Sequence, residues 1–423
     1  AIYDLPLTDG LPTLAALATR SGLSDATLRR VIGANFQLGT EAGADAVAML
    51  AARSDLASSL RVEAARSLAD WARPSGRDRV LGAWRPRGDR ETDLAVRSVR
   101  RNLAGMLSGD EAVRKAATET AVKLGISEIG ETLLKLSLDR QERPQSRADA
   151  VRSLALLKDP RLGEALEAAL ADRHGAVRGA GLQVLADRDA VAALRRIPTA
   201  LETGDLAEGQ IAASLLGRLD SPESQKLLAG WLDKVARQQV PPGLVLDLLE
   251  AARQRKHPEL ESRLETIRQG VSADPLGEYA PVLTGGDAER GRRLFFEKAE
   301  VYCMRCHKVD GRGGEVGPDL SKVAGQQNRQ YLLEAVLNPD KTIARGYEPV
   351  VILTTDGKQV AGTLREETEQ QVTLITAEGN LVTVNKQQIE ERARGKSAMP
   401  EDLAKKLTKF ELRDLVEYLA GLK

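Results

Sequence analysis

Cys303-Met304-Arg305-Cys306-His307 gathers the only two cysteines of the 423-residue chain and one of its three histidines. Two thiols three positions apart, with an imidazole directly after the second, have the spacing of covalent haem attachment. On one helical turn each thiol can add to a haem vinyl group, so that Cys303 and Cys306 carry thioethers. The adjacent His307 imidazole then reaches the iron as its proximal axial ligand. The same residue types also allow a redox dithiol or half of a zinc site. Tetrahedral zinc wants about four ligands, and with no further cysteine it has to recruit the distant His174 or His257. A dithiol explains neither the histidine nor the sequence after it.

Composition narrows the function classes. Lysine plus arginine equals aspartate plus glutamate at 61 each, so no global field recruits nucleic acid or an anionic membrane. No apolar run reaches the roughly 18 residues that begin to span a bilayer. The chain starts Ala1-Ile2-Tyr3-Asp4, without an initiator methionine or an apolar leader, which reads as a processed form or an excised piece. Haem is attached to such cysteines outside the cytoplasm, and no cysteine is left over for a structural disulfide. Both points fit a periplasmic location.

The elements that must position the motif follow from periodicity. Residues 1–270 are rich in Ala, Leu and Arg and read as successive helices broken by turns. Arg61-Val62-Glu63-Ala64-Ala65-Arg66-Ser67-Leu68 and Val113-Arg114-Lys115-Ala116-Ala117 return as Arg147-Ala148-Asp149-Ala150-Val151-Arg152-Ser153-Leu154. Val177-Arg178-Gly179-Ala180 and Ile211-Ala212-Ala213-Ser214-Leu215-Leu216 continue the series, and after a longer first gap the copies fall roughly 30 to 34 residues apart, a repeat-array period. Small central residues let helices approach, and flanking Leu and Val form the face that stacking buries. The segment resembles HEAT-like repeats, an α-solenoid, with an irregular helical bundle as the alternative. Its expected job is scaffolding or partner binding. His174 and His257 read as surface residues at helix ends, and Trp71, Trp84 and Trp231 as packing residues. Residues 271–285, with Pro275, Gly277, Pro281 and Gly285, read as a linker. Residues 286–423 then form the domain that carries the motif.

That domain resembles class I cytochromes c, and more closely the haem-binding domain type known from planctomycete and verrucomicrobial genomes. Gly291 and Phe295, on a helix capped by Asp287, match first-helix positions, and Leu415 and Tyr418 match the positions that cross them on the terminal helix. Gly311-Arg312-Gly313-Gly314-Glu315-Val316-Gly317-Pro318-Asp319-Leu320 resembles the loop beneath the haem. The resemblance implies that the Pro318 carbonyl accepts the His307 Nδ1 proton and that Leu320 touches the porphyrin. Tyr331 to Pro339 resembles the next helix, stopped by its proline.

A departure follows. Within residues 347–393, Pro349 to Thr355, Lys358 to Arg365, Gln371 to Thr376 and Asn380 to Val384 alternate as strands, with an Asp356-Gly357 turn and a Glu378-Gly379 turn, and the segment reads as a small β-sheet or barrel inserted into the helical domain. It serves either as a shielding flap or as a docking surface. Beyond it, Lys396-Ser397-Ala398-Met399-Pro400 resembles the distal-ligand loop. Elimination points the same way: Met49 and Met106 lie in the repeat half and Met304 between the cysteines, leaving Met399 as the candidate metal ligand beside His307, although a core methionine is the ordinary alternative. The expectation is thus a mainly α protein with one covalently attached haem c that transfers electrons. The resemblance implies a redox partner, a separate sugar or alcohol dehydrogenase, as donor. Rival functions are a peroxidase or gas sensor with an open distal site, and an interaction scaffold in which haem is structural.

Overall fold

The computed structural model describes residues 2–5, 7–107, 110–270 and 276–423. The chain divides into two compact units, Ala1–Leu185 and Ala186–Lys423. In the first unit the helices are α1 (Leu11–Ala15), α2 (Asp25–Leu38), α3 (Glu41–Ala52), α4 (Ser58–Ala69), α5 (Thr92–Leu107), α6 (Glu111–Lys123), α7 (Gly130–Leu138), α8 (Pro144–Leu156) and α9 (Leu162–Leu170), and α10 (Gly175–Arg188) runs across the division. Side-chain oxygens set several of the starts: Ser24, Thr40 and Asp110 accept from backbone N–H groups in the first turns of α2, α3 and α6, donors that otherwise have no partner.

Packing runs to the neighbour and to the next helix but one, α2 on α3 and α4, α3 on α5, α4 on α6 and α7 on α9. The recurring alanines make this approach possible. Ala64 and Ala65 of α4, Ala116 and Ala117 of α6, and Ala148 and Ala150 of α8 are all buried, so each copy falls on every second helix. Two arginines of these segments are buried as well. Arg61 donates to the carbonyls of Ala51 and Gly105, both at 3.0 Å, and Arg147 donates to Asp172 at 2.8 Å. His174, just ahead of α10, stands 3.0 Å from that guanidinium through Nδ1. Trp71 packs edge-on against Phe36. Trp84 departs from the packing expectation: it is 73 % exposed, its ring laid over Gly76 in the loop between α4 and α5.

The second unit begins with α11 (Ala190–Glu202), α12 (Leu206–Arg218), α13 (Pro222–Ala236), α14 (Pro242–Arg255) and α15 (Pro258–Gly270). Here α12 packs on α11 and α14, and α13 on α15, with Ala212 and Ala213 of the fifth sequence copy buried in α12 and Trp231 buried in α13. Of the expected linker at 271–285, residues 271–275 lie outside the described residues, while Gly277–Leu283 is a 3₁₀ helix that buries Val282. The remaining helices are α16 (Ala288–Glu297), α17 (Arg329–Leu337) and α18 (Lys409–Leu419). Composition placed the domain division at 271–285, yet the compact units meet at 185/186. The reason is packing: Leu246 of α14 shares one apolar core with Phe295, Leu332, Leu415 and Tyr418. Beside it, Arg413 of α18, 2 % exposed, donates to Asp247 of α14, 6 % exposed, at 2.6 Å.

Two short strands, β1 (Lys308–Val309) and β2 (Arg312–Gly313), pair as a hairpin. Five more, β3 (Pro349–Thr354), β4 (Gln359–Glu367), β5 (Gln371–Ile375), β6 (Leu381–Asn385) and β7 (Ile389–Arg394), form one antiparallel sheet in the order β6-β5-β4-β3-β7. The insertion is therefore a sheet with β6 and β7 as its edges. Val350, Ile352, Val372, Leu374 and Val384 supply its small core, the alternation expected of strands with one covered face. Among the described residues no helix is long and apolar enough to cross a membrane.

Candidate haem site

The site is built on a crossing of α16 and α18. Asp287 caps α16 by accepting from the N–H groups of Glu289 and Arg290, both at 2.9 Å, and its own N–H donates to Asp414 of α18 at 2.8 Å. Arg290 reaches the same carboxylate at 2.8 Å. At the crossing Gly291 faces the Asp414 carbonyl and Tyr418 Cβ so closely that any side chain there would collide with backbone. One helical turn later Phe295 stacks obliquely on Tyr418, centroids 5.8 Å apart. A capping box of Thr408 and Glu411 starts α18.

From this crossing the chain enters the cysteine motif. Cys303–Arg305 is a single 3₁₀ turn, and the N–H groups of Cys306 and His307 both donate to the Cys303 carbonyl, at 3.2 and 3.0 Å. The loop that follows folds back on the motif through backbone bonds: Gly314 N–H to the Met304 carbonyl, Gly317 N–H to the Cys306 carbonyl and Leu320 N–H to the Lys308 carbonyl, each 2.8 Å. That return brings the Pro318 carbonyl 3.0 Å from His307 Nδ1. Because a carbonyl only accepts, Nδ1 carries the proton and Nε2 keeps its lone pair. Burial pulls the imidazole's pKa below its ordinary value, against the opposing pull of the Pro318 carbonyl, so the ring is neutral, the form that ligates a metal. Gly317 lies flat against the ring; a methyl group there would meet His307 Cε1 at 2.6 Å and Nδ1 at 2.9 Å.

Cys303, Cys306, His307, Pro318, Leu320 and Met399 all line one cavity of about 280 Å³. Of the other methionines, Met49 and Met106 belong to the core of the first unit, and Met304 packs on the apolar core beside Cys303. Burial pushes the Cys303 thiol up to about 11 and raises Cys306 as well. A redox dithiol needs a stabilised thiolate, and this pocket does the reverse. Nor does any cluster of three or more His, Cys, Asp or Glu side chains among the described residues have the arrangement of a metal site, which leaves a zinc reading short of ligands. An apolar cavity offering two protonated thiols, one neutral imidazole with a free Nε2 and one thioether fits a covalently held haem.

Such a helix crossing, with a thiol pair and a carbonyl-tethered imidazole below it, defines a c-type haem pocket. A family model described as Cytochrome c matches residues 288–375, from α16 to the end of β5. No curated relative matches the chain. The second unit therefore contains a cytochrome c domain, which carries covalently attached haem c and supports a role in electron transfer.

Sequence reasoning missed several wall residues. Tyr347, which leads into the sheet, and Thr363, in the middle of β4, line the cavity; a buried threonine inside a strand carries no signal that it faces a site built elsewhere. Gly317 could have been found, since it precedes Pro318 and follows Gly313 and Gly314 in a loop too glycine-rich for a simple turn. Lys308 bonds Glu315 within the loop, and Arg365 of β4 reaches the same carboxylate at 3.0 Å.

Proposed function

We propose that this chain is a monohaem c-type cytochrome in which Cys303 and Cys306 hold the haem, His307 is the proximal ligand and Met399 the distal one. The observation that carries the reading is that the only two thiols of the chain, the tethered imidazole and a methionine far downstream, beyond the end of the family match, share one cavity. Bound haem supplies a one-electron iron couple, and methionine ligation raises its potential. The protein's part is to keep His307 neutral and oriented through Pro318, to hold Leu320 and Leu415 as apolar walls, and to bring Met399 to the cavity.

Its setting is the periplasm, and its donor a partner dehydrogenase acting on a sugar or alcohol; the balanced charge of the chain favours a protein partner over nucleic acid. The helices of residues 1–270 serve that partner as a HEAT-like array, supported by recurring segments on α4, α6, α8, α10 and α12. The sheet inserted between α17 and Met399 supports membership of the planctomycete and verrucomicrobial type. The test is an absorption spectrum of oxidised and reduced holoprotein, wild type and Met399→Ala. A long-wavelength methionine-to-iron charge-transfer band in the wild type, lost with a lowered potential and gained carbon monoxide binding in the variant, is the expected result. A wild type that already binds carbon monoxide rapidly, with a spectrum indifferent to Met399→Ala, overturns the electron carrier in favour of an open, enzymatic or sensing site.

A further inference from the structure

We propose that Asp340 is the positioning residue for Met399, and that the outer strand pair β3–β7 delivers the methionine loop to it. The proposal rests on Met399 as distal ligand and adds what holds it there.

The residues around Met399 form no regular element. Between the end of β7 at Arg394 and the 3₁₀ turn Leu403–Lys406, the backbone must find its partners individually. It finds them in a fixed order. Val350 of β3 pairs with Arg394 of β7, and the next donor, Gly395 N–H, continues the ladder to the Pro349 carbonyl at 2.9 Å. Past that point the sheet offers nothing more. Ser397 N–H donates instead to Asp340 Oδ1 at 2.6 Å, and Met399 N–H donates to Ser397 Oγ at 3.2 Å. Every second residue from Gly395 to Met399 is thus tied, first to the sheet, then to Asp340, then to the residue Asp340 has fixed.

Asp340 is suited to act as the anchor because it is itself held by a rigid element. It follows Pro339, which is buried and lines the cavity and stops α17. Leu332, Leu333 and Val336 of that helix are buried in the domain core. Lys341 N–H closes the turn onto the Asn338 carbonyl at 2.9 Å, and its ammonium returns to Glu334 at 3.1 Å. A carboxylate accepting from a backbone N–H at this length makes a charge-assisted bond, roughly twice as strong as a neutral one. Without it, residues 396–398 regain the conformational freedom that ordering a loop removes, and the thioether is no longer confined to one place in the cavity.

The experiment uses full-chain holoprotein with wild type, Asp340→Ala, Asp340→Asn, Ser397→Ala and Met399→Ala, reading the methionine charge-transfer band and the rate at which the reduced protein binds carbon monoxide. If the wild type has no such band and Met399→Ala changes nothing, the ligand assignment falls, whatever Asp340 does. If the band is present and lost in Met399→Ala, the Asp340 variants decide. Asp340→Ala is expected to weaken the band and speed carbon monoxide binding by roughly tenfold or more, the equivalent of one charge-assisted hydrogen bond. Asp340→Asn, whose amide oxygen can still accept from Ser397, returns most of the way to wild type. Wild-type band and rate in Asp340→Ala, or no recovery in Asp340→Asn, overturn the proposal. Should Asp340→Ala fail to mature, Ser397→Ala decides alone: a smaller change of the same sign supports the relay, and an unaltered band and rate refute it.

Discussion

The two sides of the haem cavity are made in different ways. The proximal side is one continuous stretch, Cys303 to Leu320, which closes on itself through backbone hydrogen bonds spanning a dozen residues or fewer. The distal side is assembled from a distance, with Met399 reaching the cavity after a five-stranded sheet and anchoring on a residue before that sheet. A locally closed loop needs only its own sequence to form its geometry. A distal loop held by long-range pairing needs the intervening domain to fold first, since ordering distant segments costs entropy that later contacts must offset.

The largest effect expected of any change on the proximal side is outright loss of haem. In Cys303→Ala with Cys306→Ala no thiol remains, and extraction of the denatured protein in acid acetone should remove all haem. Haem that stays with that variant would show that the contiguous motif is not what holds it. Next in size is the support that both sides share. Asp247→Ala strands the buried Arg413 guanidinium in α18, whose Leu415 and Leu419 line the cavity, and breaking a buried pair from one end costs about 3–5 kcal/mol. Denaturant melts of the holoprotein should report that loss. A change confined to the distal readouts would mean that α18 serves only one side.

Gly317→Ala sharpens the contrast on the proximal side alone. The added methyl displaces the His307 ring or the loop, at about 1–3 kcal/mol by overpacking, and melts should show it while the distal loop keeps its hydrogen bonds. The smallest effect belongs to Arg365→Ala. Its exposed pair with Glu315 joins the sheet to the proximal loop, and exposed pairs contribute less than about 1 kcal/mol. A larger loss in melts would mean that the sheet helps to hold the proximal loop and that the two sides are less independent than their hydrogen bonds imply.

The same contrast explains what was legible in the sequence. Cys303, Cys306 and His307 lie within five positions of one another, so spacing alone carries their arrangement, whereas Pro318 was placed by the resemblance of its loop to the one beneath the haem of class I cytochromes c. Met399 was reachable because three other methionines could be set aside. Asp340, by contrast, is one acidic residue after a proline in a chain with 61 acidic residues, and only strand pairing between β3 and β7 brings it beside Ser397. β7 itself went unread because Ile389-Glu390-Glu391-Arg392-Ala393-Arg394 lacks apolar alternation; as an edge strand with five exposed positions it needs none, and charge on an edge discourages further pairing. Packing across the 271–285 stretch was not legible for the opposite reason. Proline and glycine around 271–285 mark a real interruption of helix, yet Leu246 and Asp247 on one side of it pack with residues on the other, and composition does not reveal what a helix face touches.

In the sheet order β6-β5-β4-β3-β7, the first and last strands of the insertion are direct neighbours. The separation of the two points where the insertion leaves and rejoins the helical domain is therefore fixed by one interstrand spacing, about 4.8 Å, and not by the length of chain between them. Strands could be added beyond β6, or the β4–β6 portion shortened, without changing where the exit strand releases the chain. A segment that closes on its own root in this way can diverge in size and surface while the Met399 loop downstream stays in register.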